Sequence, residues 1–153
     1  MESDSRDLFV FQTGQQLFAL PAVEVAGTTQ RKAPARLPFA PSGVLGVISV
    51  QGQMLTVIDP LVFINQQNRQ MPGAIPLVII IRGDEQLALA ADGYEDALSI
   101  NEISSTGLSA NSGDVDSAIC GSIYRDGREI FVLDARKLFS AAMGKLDRRR
   151  RRT

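Results

Sequence analysis

Apolar positions along this chain fall in short runs rich in Val, Ile and Phe, and most runs close on a glycine, a proline or an acidic turn. Runs of this length predict strands. Leu8–Thr13 and Gln16–Leu20 form a hairpin-like pair around Gly14, ended by Pro21, which cannot donate to a sheet ladder. Val44–Val50 and Gln53–Ile58 form a second pair around Gln51-Gly52, where a glycine can take the positive φ of a tight turn. Both are apolar at nearly every position, which predicts strands covered on both faces. Leu77–Ile81 and Gln86–Ala91 make a third pair, followed by a turn at Asp92-Gly93. Ala118–Tyr124 and Glu129–Leu133 flank Asp126-Gly127, the strongest hairpin signal in the chain.

Two short helices are predicted. Asp59-Pro60 opens one, Pro60 to about Gln66, because the carboxylate can accept backbone N–H bonds and proline loses nothing at the first helical position. Asp134 caps the other, Ala135 to about Gly144. Ala22–Ala26 reads equally as a short helix or a strand. Thr28–Pro41, with three prolines and three basic residues, reads as a surface loop, and Ser104–Ser117 as a long mobile one. The polar stretch Asn65–Ala74 reads as a seam.

Much of this grammar occurs twice. Gly46, Ile48, Gly52, Val57 and Asp59 are spaced as Gly121, Ile123, Gly127, Val132 and Asp134 are. Upstream of each copy, Leu8–Leu20 echoes Leu77–Leu89, each an apolar run, a glycine turn and a second run ending in Ala-Leu. A repeat of this length occurring only twice implies two similar lobes sharing a core. Many short strands with regular turns predict an all-β barrel class with one or two minor helices.

The 153 residues allow one domain or two small fused lobes. A net charge of −1 conceals an acidic body, because the last nine residues hold Lys145 and Arg148–Arg152. Such a body is a poor nucleic-acid partner. The polar N-terminus predicts no signal peptide, no apolar run approaches bilayer length, and a cytoplasmic location is expected. Cys120 is the single cysteine, which rules out an internal disulfide, and its apolar strand setting predicts burial. Histidine is absent, which removes the commonest general base and transition-metal ligand.

Candidate chemistry is thin. Asp84-Glu85, and Asp92 with Glu95-Asp96, could in principle divide acid and base roles. Asp84-Glu85 and Asp92 adjoin turn glycines, where solvated acids and turn formers are usual. The hydroxyls of Ser49, Ser104 and Ser105 have no histidine to activate them. No catalytic residue, cofactor site or metal site is expected. Arg31, Lys32 and Arg36 could hold an anion or lie on a solvated loop. The run Arg148–Arg152 is either a solvated tail or a contact for nucleic acid, an acidic partner or anionic headgroups, and no aromatic residue lies among the arginines to stack on bases.

In order and spacing these segments resemble the CheW-like domain, the bacterial chemotaxis coupling module. The resemblance runs from about Asp7 to about Phe139 and is most specific over Leu37–Asp59, with Phe18–Pro21, Leu87–Leu98 and Phe131–Phe139 in the expected places. It implies two packed five-stranded SH3-like β-barrels. It further implies a non-enzymatic scaffold that binds the regulatory domain of a CheA-like histidine kinase and the cytoplasmic tip of chemoreceptors in membrane arrays. By the same resemblance, kinase binding uses a barrel surface of the first lobe and receptor binding the groove between lobes. Partner contacts carry over to Val25, Gly46, Ser49, Gln51, Asp92 and Gly93.

Some positions depart from the family pattern. Ser49-Val50-Gln51-Gly52 stands where an Asn-Leu-Arg-Gly is usual, and Gln51 lacks the forked cation of arginine. Gly27-Thr28 replaces a Glu-Ile pair and Pro60 a leucine. A divergent member is therefore expected, serving a surface-motility or other chemosensory pathway, with a single domain over 7–144. Its lobes are expected mainly at 7–66 and 76–144, with strand exchange between them allowed, and tails at 1–6 and 145–153. The alternative is a β-barrel module that contacts nucleic acid or an anionic surface through the Arg148–Arg152 tail.

Overall fold

Turn chemistry sets the local structure. The computed structural model describes residues 7–40, 43–65, 73–83, 86–98, 109–110 and 118–141. β1 (Leu8–Thr13) and β2 (Gln16–Pro21) pair antiparallel around Gly14, whose φ is 64°. β4 (Val44–Val50) and β5 (Gln53–Ile58) turn through Gln51 at φ 50° and Gly52 at φ 83°. β10 (Ile119–Arg125) and β11 (Arg128–Leu133) turn through Asp126 at φ 54° and Gly127 at φ 79°. Two successive positive φ angles are what a two-residue hairpin needs to match strand twist. The remaining strands are β3 (Val25–Lys32), β6 (Ile75–Ile81), β7 (Leu87–Ala91), β8 (Gly93–Leu98) and the two-residue β9 (Ser109–Ala110).

The protein is mainly β, and its strands form two sheets of SH3-like plan, ordered β8-β1-β2-β11-β10-β9 and β3-β6-β7-β5-β4. Position by position the two orders match: β1-β2 stands where β6-β7 stands, and β11-β10 where β5-β4 stands. The register agrees. Val132 faces Ala19 in the parallel β11–β2 pair, as Val57 faces Ala88 in the parallel β5–β7 pair. Both sheets also close alike. Ala35 exchanges backbone hydrogen bonds with Val47 at 2.8 and 2.9 Å, while β9 pairs Ser109 with Ser122, the repeat equivalent of Val47.

Sheet membership changes between β2 and β3, and again between β7 and β8. Each sheet thus takes one hairpin from one repeat and its other strands from the other repeat. The Asn65–Ala74 seam separates repeats without separating sheets, since β5 and β6 on either side lie in the same one.

Burial explains why so many strands are apolar throughout. One cluster (Leu8, Val10, Leu17, Ala19, Ile123, Ile130, Val132) fills the first sheet's barrel, and another (Ile48, Leu55, Val57, Ile75, Val78, Ala88, Ala90) fills the second's. A third, shared cluster takes Phe11, Phe18, Leu20 and Leu133 from one sheet and Ile58, Ile79, Leu87 and Leu89 from the other. Alternate residues therefore serve two different cores. β2 and β7 aim large Phe18, Leu20, Leu87 and Leu89 at the shared core and small Ala19, Ala88 and Ala90 into the barrels. A small barrel has room for only some large side chains.

Three sequence expectations need correction, and one left open is resolved. Residues 28–32, expected in a loop, complete β3, because the alternating half-buried and exposed pattern of VAGTTQRK suits an edge strand on β6. Ala22–Ala26 is both alternatives in turn: a 3-10 helix over Ala22–Glu24, then β3. The echo of Leu8–Leu20 in Leu77–Leu89 is one residue out of register in its first half. Val10 and Ile80, not Val10 and Ile79, hold equivalent positions opposite Ala19 and Ala88. Cys120 is exposed, because a bulge between Ile119 and Gly121 lifts it out of the β10–β11 alternation. The first helix, α1 (Pro60–Asn65), and a second, α2 (135–141), lie where expected, and 104–108 and 111–117 of the expected mobile loop lie outside the described residues.

Candidate functional site

The expected partner residues fall into separate neighbourhoods. Ser49 and Gln51 are exposed at the β4–β5 tip, beside exposed Gln53 and Met54, and this tip carries no charge. The equivalent β10–β11 tip presents Tyr124, Arg125, Asp126 and Arg128. Gly46, four residues from the tip, is buried at a bulge with φ 139°, and a side chain there would run into the carbonyl of Ala35. It is placed to bring the closing segment against β4.

Asp92 and Gly93 sit at the crossing from β7 to β8. The Asp92 carboxylate accepts a hydrogen bond from Gly14 N–H at 2.6 Å, and Asp92 N–H donates to Gln12 O at 2.8 Å. Val25, half-buried against the shared core, sits at the other crossing, from β2 to β3. The two crossings are built differently. At the second, the 3-10 turn Ala22–Glu24 adds length, and Arg82 on the β6–β7 turn holds it by donating Nε to Val23 O at 3.0 Å and its backbone N–H to Glu24 O at 2.8 Å.

A cleft of about 230 Å³ opens at that crossing, lined by Glu24, Ile81, Arg82, Gly83, Leu87, Ala135, Arg136 and Phe139. It lies between the β6–β7 turn and α2, with apolar walls and charges of both signs at its rim. Burial, and then the neighbouring Asp134, hold the Glu24 carboxyl above its ordinary range, while Arg136 partly opposes them. The Cys120 thiol reaches the surface but is shielded on one flank. That desolvation, reinforced by Asp134 and Glu24, pushes it up, which makes it a poor nucleophile. Sequence reasoning missed Glu24, Arg82, Arg136 and Phe139, since only the crossing brings them together.

Two further acids cap helices, and several lie outside the described residues. Asp59, wholly buried, accepts from Leu61 N–H at 3.0 Å, and Asp134 accepts from Arg136 and Lys137 N–H at 3.0 and 3.3 Å. Both cap their helices, as the repeat implies. Asp84-Glu85, Ser104, Ser105, the side chains of Glu95-Asp96 and the run Arg148–Arg152 lie outside the described residues. Among the described residues no group of His, Cys, Asp and Glu could hold a metal ion, and no helix is long and apolar enough to cross a membrane.

The family described as CheW-like domain matches residues 7–143. The chain belongs to the CheW-like domain family. Its class of work is that of a chemotaxis-type scaffold or adaptor. Among solved structures, the scaffolding protein TtCheW from Thermoanaerobacter tengcongensis is similar at a TM-score of 0.69 and 19% identity, over 84% of this chain and 88% of that one. The likeness at that identity is one of fold. No curated protein matches the chain by sequence.

Proposed function

We propose that this CheW-like domain is a non-enzymatic cytoplasmic adaptor that joins the regulatory domain of a CheA-like histidine kinase to the cytoplasmic tip of chemoreceptors, in a divergent chemosensory or surface-motility pathway. The observation that carries the reading is the family match over residues 7–143. The fold suits the task. Strands buried on both faces, with three cores locked together, give rigid surfaces whose relative geometry does not drift when partners bind.

In this reading Ser49 and Gln51 meet the kinase through the β4–β5 tip, and Val25 borders the cleft that takes the receptor. Gly46 holds the closing segment behind the tip, and Asp92 and Gly93 hold the β7–β8 crossing. Affinity at each contact is modest, and an array supplies the rest through multivalency. Capture of purified CheA-like kinases and receptor tips from the same cell tests the proposal. Capture by the wild type, strengthened by Gln51→Arg, is the expected result; no capture of either would overturn it.

A further inference from the structure

Residues 25–58 contain no aspartate or glutamate, and their charges are Arg31, Lys32 and Arg36, in a chain that carries 17 acidic residues elsewhere. All three cations lie on one excursion, from the end of β3 toward β4. Two residues of that excursion other than glycine hold left-handed backbone: Arg31 at φ 57° and Phe39 at φ 60°.

Phe39 is the unusual one. Leu37 and Ala40 pack inward against the shared core, and Ala40 N–H donates to Leu37 O at 3.4 Å, closing a turn with Pro38 second and Phe39 third. Proline at the second place and positive φ at the third define a turn in which glycine is the preferred third residue. Here a phenylalanine occupies it with 77% of its surface exposed. Glycine would remove both the backbone strain and the exposed ring. A strained, fully displayed aromatic on an anchored, proline-stiffened base points to use.

The excursion carries three cations and one displayed ring, and it supplies none of the cleft's lining. A protein partner would need a pocket shaped for the ring. A bilayer needs no shape match: a ring can enter the acyl boundary while cations stay among the headgroups. We infer that the Arg31–Phe39 excursion is a membrane-surface contact for anionic lipid, with Phe39 entering the interface and Arg31, Lys32 and Arg36 meeting the headgroups. It is a surface contact, not a span, and it does not depend on the adaptor reading.

The test is co-sedimentation of the full chain with phosphatidylcholine vesicles, alone or mixed with phosphatidylglycerol. Binding to the mixed vesicles only, weakened by salt, is expected. Phe39→Gly should weaken it about tenfold, and the combined Arg31→Gln, Lys32→Gln and Arg36→Gln variant about a hundredfold. Glycine adopts the required φ without strain, so a thermal melt no worse than wild type shows that misfolding is not the cause. No binding to mixed vesicles overturns the inference. So does binding that ignores Phe39→Gly and disappears when Arg148–Arg152 become glutamines, or when duplex DNA competes. A loss of kinase capture by Phe39→Gly with unchanged vesicle binding would assign the finger to a protein partner instead and overturn it too.

Discussion

Gly14 N–H donates to the Asp92 carboxylate at 2.6 Å, tying the β1–β2 turn to the point where the chain passes from one sheet into the other. The residue that family resemblance marks as a partner contact thus has a structural duty at a crossing. Removing the carboxylate hands the Gly14 N–H to water and loses a charge-assisted bond. Asp92→Ala is expected to cost about 1–2 kcal/mol, read as a lower urea midpoint at unchanged m-value. A shift no larger than an ordinary surface substitution would leave the contact role standing alone.

Gly46 offers a sharper contrast. Its φ of 139° and the nearby Ala35 carbonyl leave no room for a Cβ, whereas Gly27 has open space around that position and an ordinary φ. Gly46→Ala should therefore destabilise by roughly 2–4 kcal/mol, through strain added to displacement of the closing segment, while Gly27→Ala stays near neutral. Paired thermal melts decide it, and equal effects would refute the close-approach explanation.

The size alternation on β2 and β7 predicts a directional result. Ala88→Leu, aimed into a barrel, should overpack it and cost about 1–3 kcal/mol or more. Leu89→Ala, one residue on and facing the shared core, should instead open a cavity and cost about 2–5 kcal/mol. The two variants differ in mechanism, and the double variant should not restore stability, because the residues serve separate cores. Recovery in the double would show that the cores communicate.

Glu24 gives a pH dependence with a definite sign. Its carboxyl is held above the ordinary 4.5 by burial first and Asp134 second, so the folded state binds a proton more tightly than the unfolded chain. Stability contributed by the protonated group is complete below about 4.5 and declines as pH rises through the raised value. Glu24→Gln should accordingly match or exceed wild-type stability at neutral pH, with the difference vanishing as the solution is acidified. A variant less stable at neutral pH would contradict the assignment.

Cys120 should label despite its electrostatic disadvantage. It is exposed on the β10 bulge, so alkylation should proceed in the native protein, but more slowly than for a free thiol at the same pH. The rate should climb with pH past the ordinary thiol value of 9.0, reflecting the upward push of burial, Asp134 and Glu24. Protection until global unfolding would mean that the bulge does not present the side chain.

Hairpins were legible because their signals are local. Gln51-Gly52 and Asp126-Gly127 announce paired positive φ angles, and Asp59 and Asp134 announce helix caps, without reference to the rest of the chain. β3 was not, since Thr28 to Lys32 is polar and reads as loop until β6 is beside it. Cys120 misled because its neighbours are apolar and only a bulge, invisible in composition, turns it outward. The cleft escaped for a similar reason. Glu24, Arg82 and Arg136 are scattered along the chain, and the crossings that unite them follow from sheet order, which spacing does not encode.

The two crossings also fix the order in which a chain emerging from the ribosome can be completed. The β3-β6-β7-β5-β4 sheet has all its strands once residue 91 has been synthesised, whereas the β1-β2 hairpin must wait for β11, with Gln16 meeting Glu129 across 113 residues. Through most of synthesis the first hairpin therefore shows Phe18 without its lasting neighbour Phe131 on β11. The earliest segment made is the last to find its sheet, and a chaperone would find its clearest substrate there.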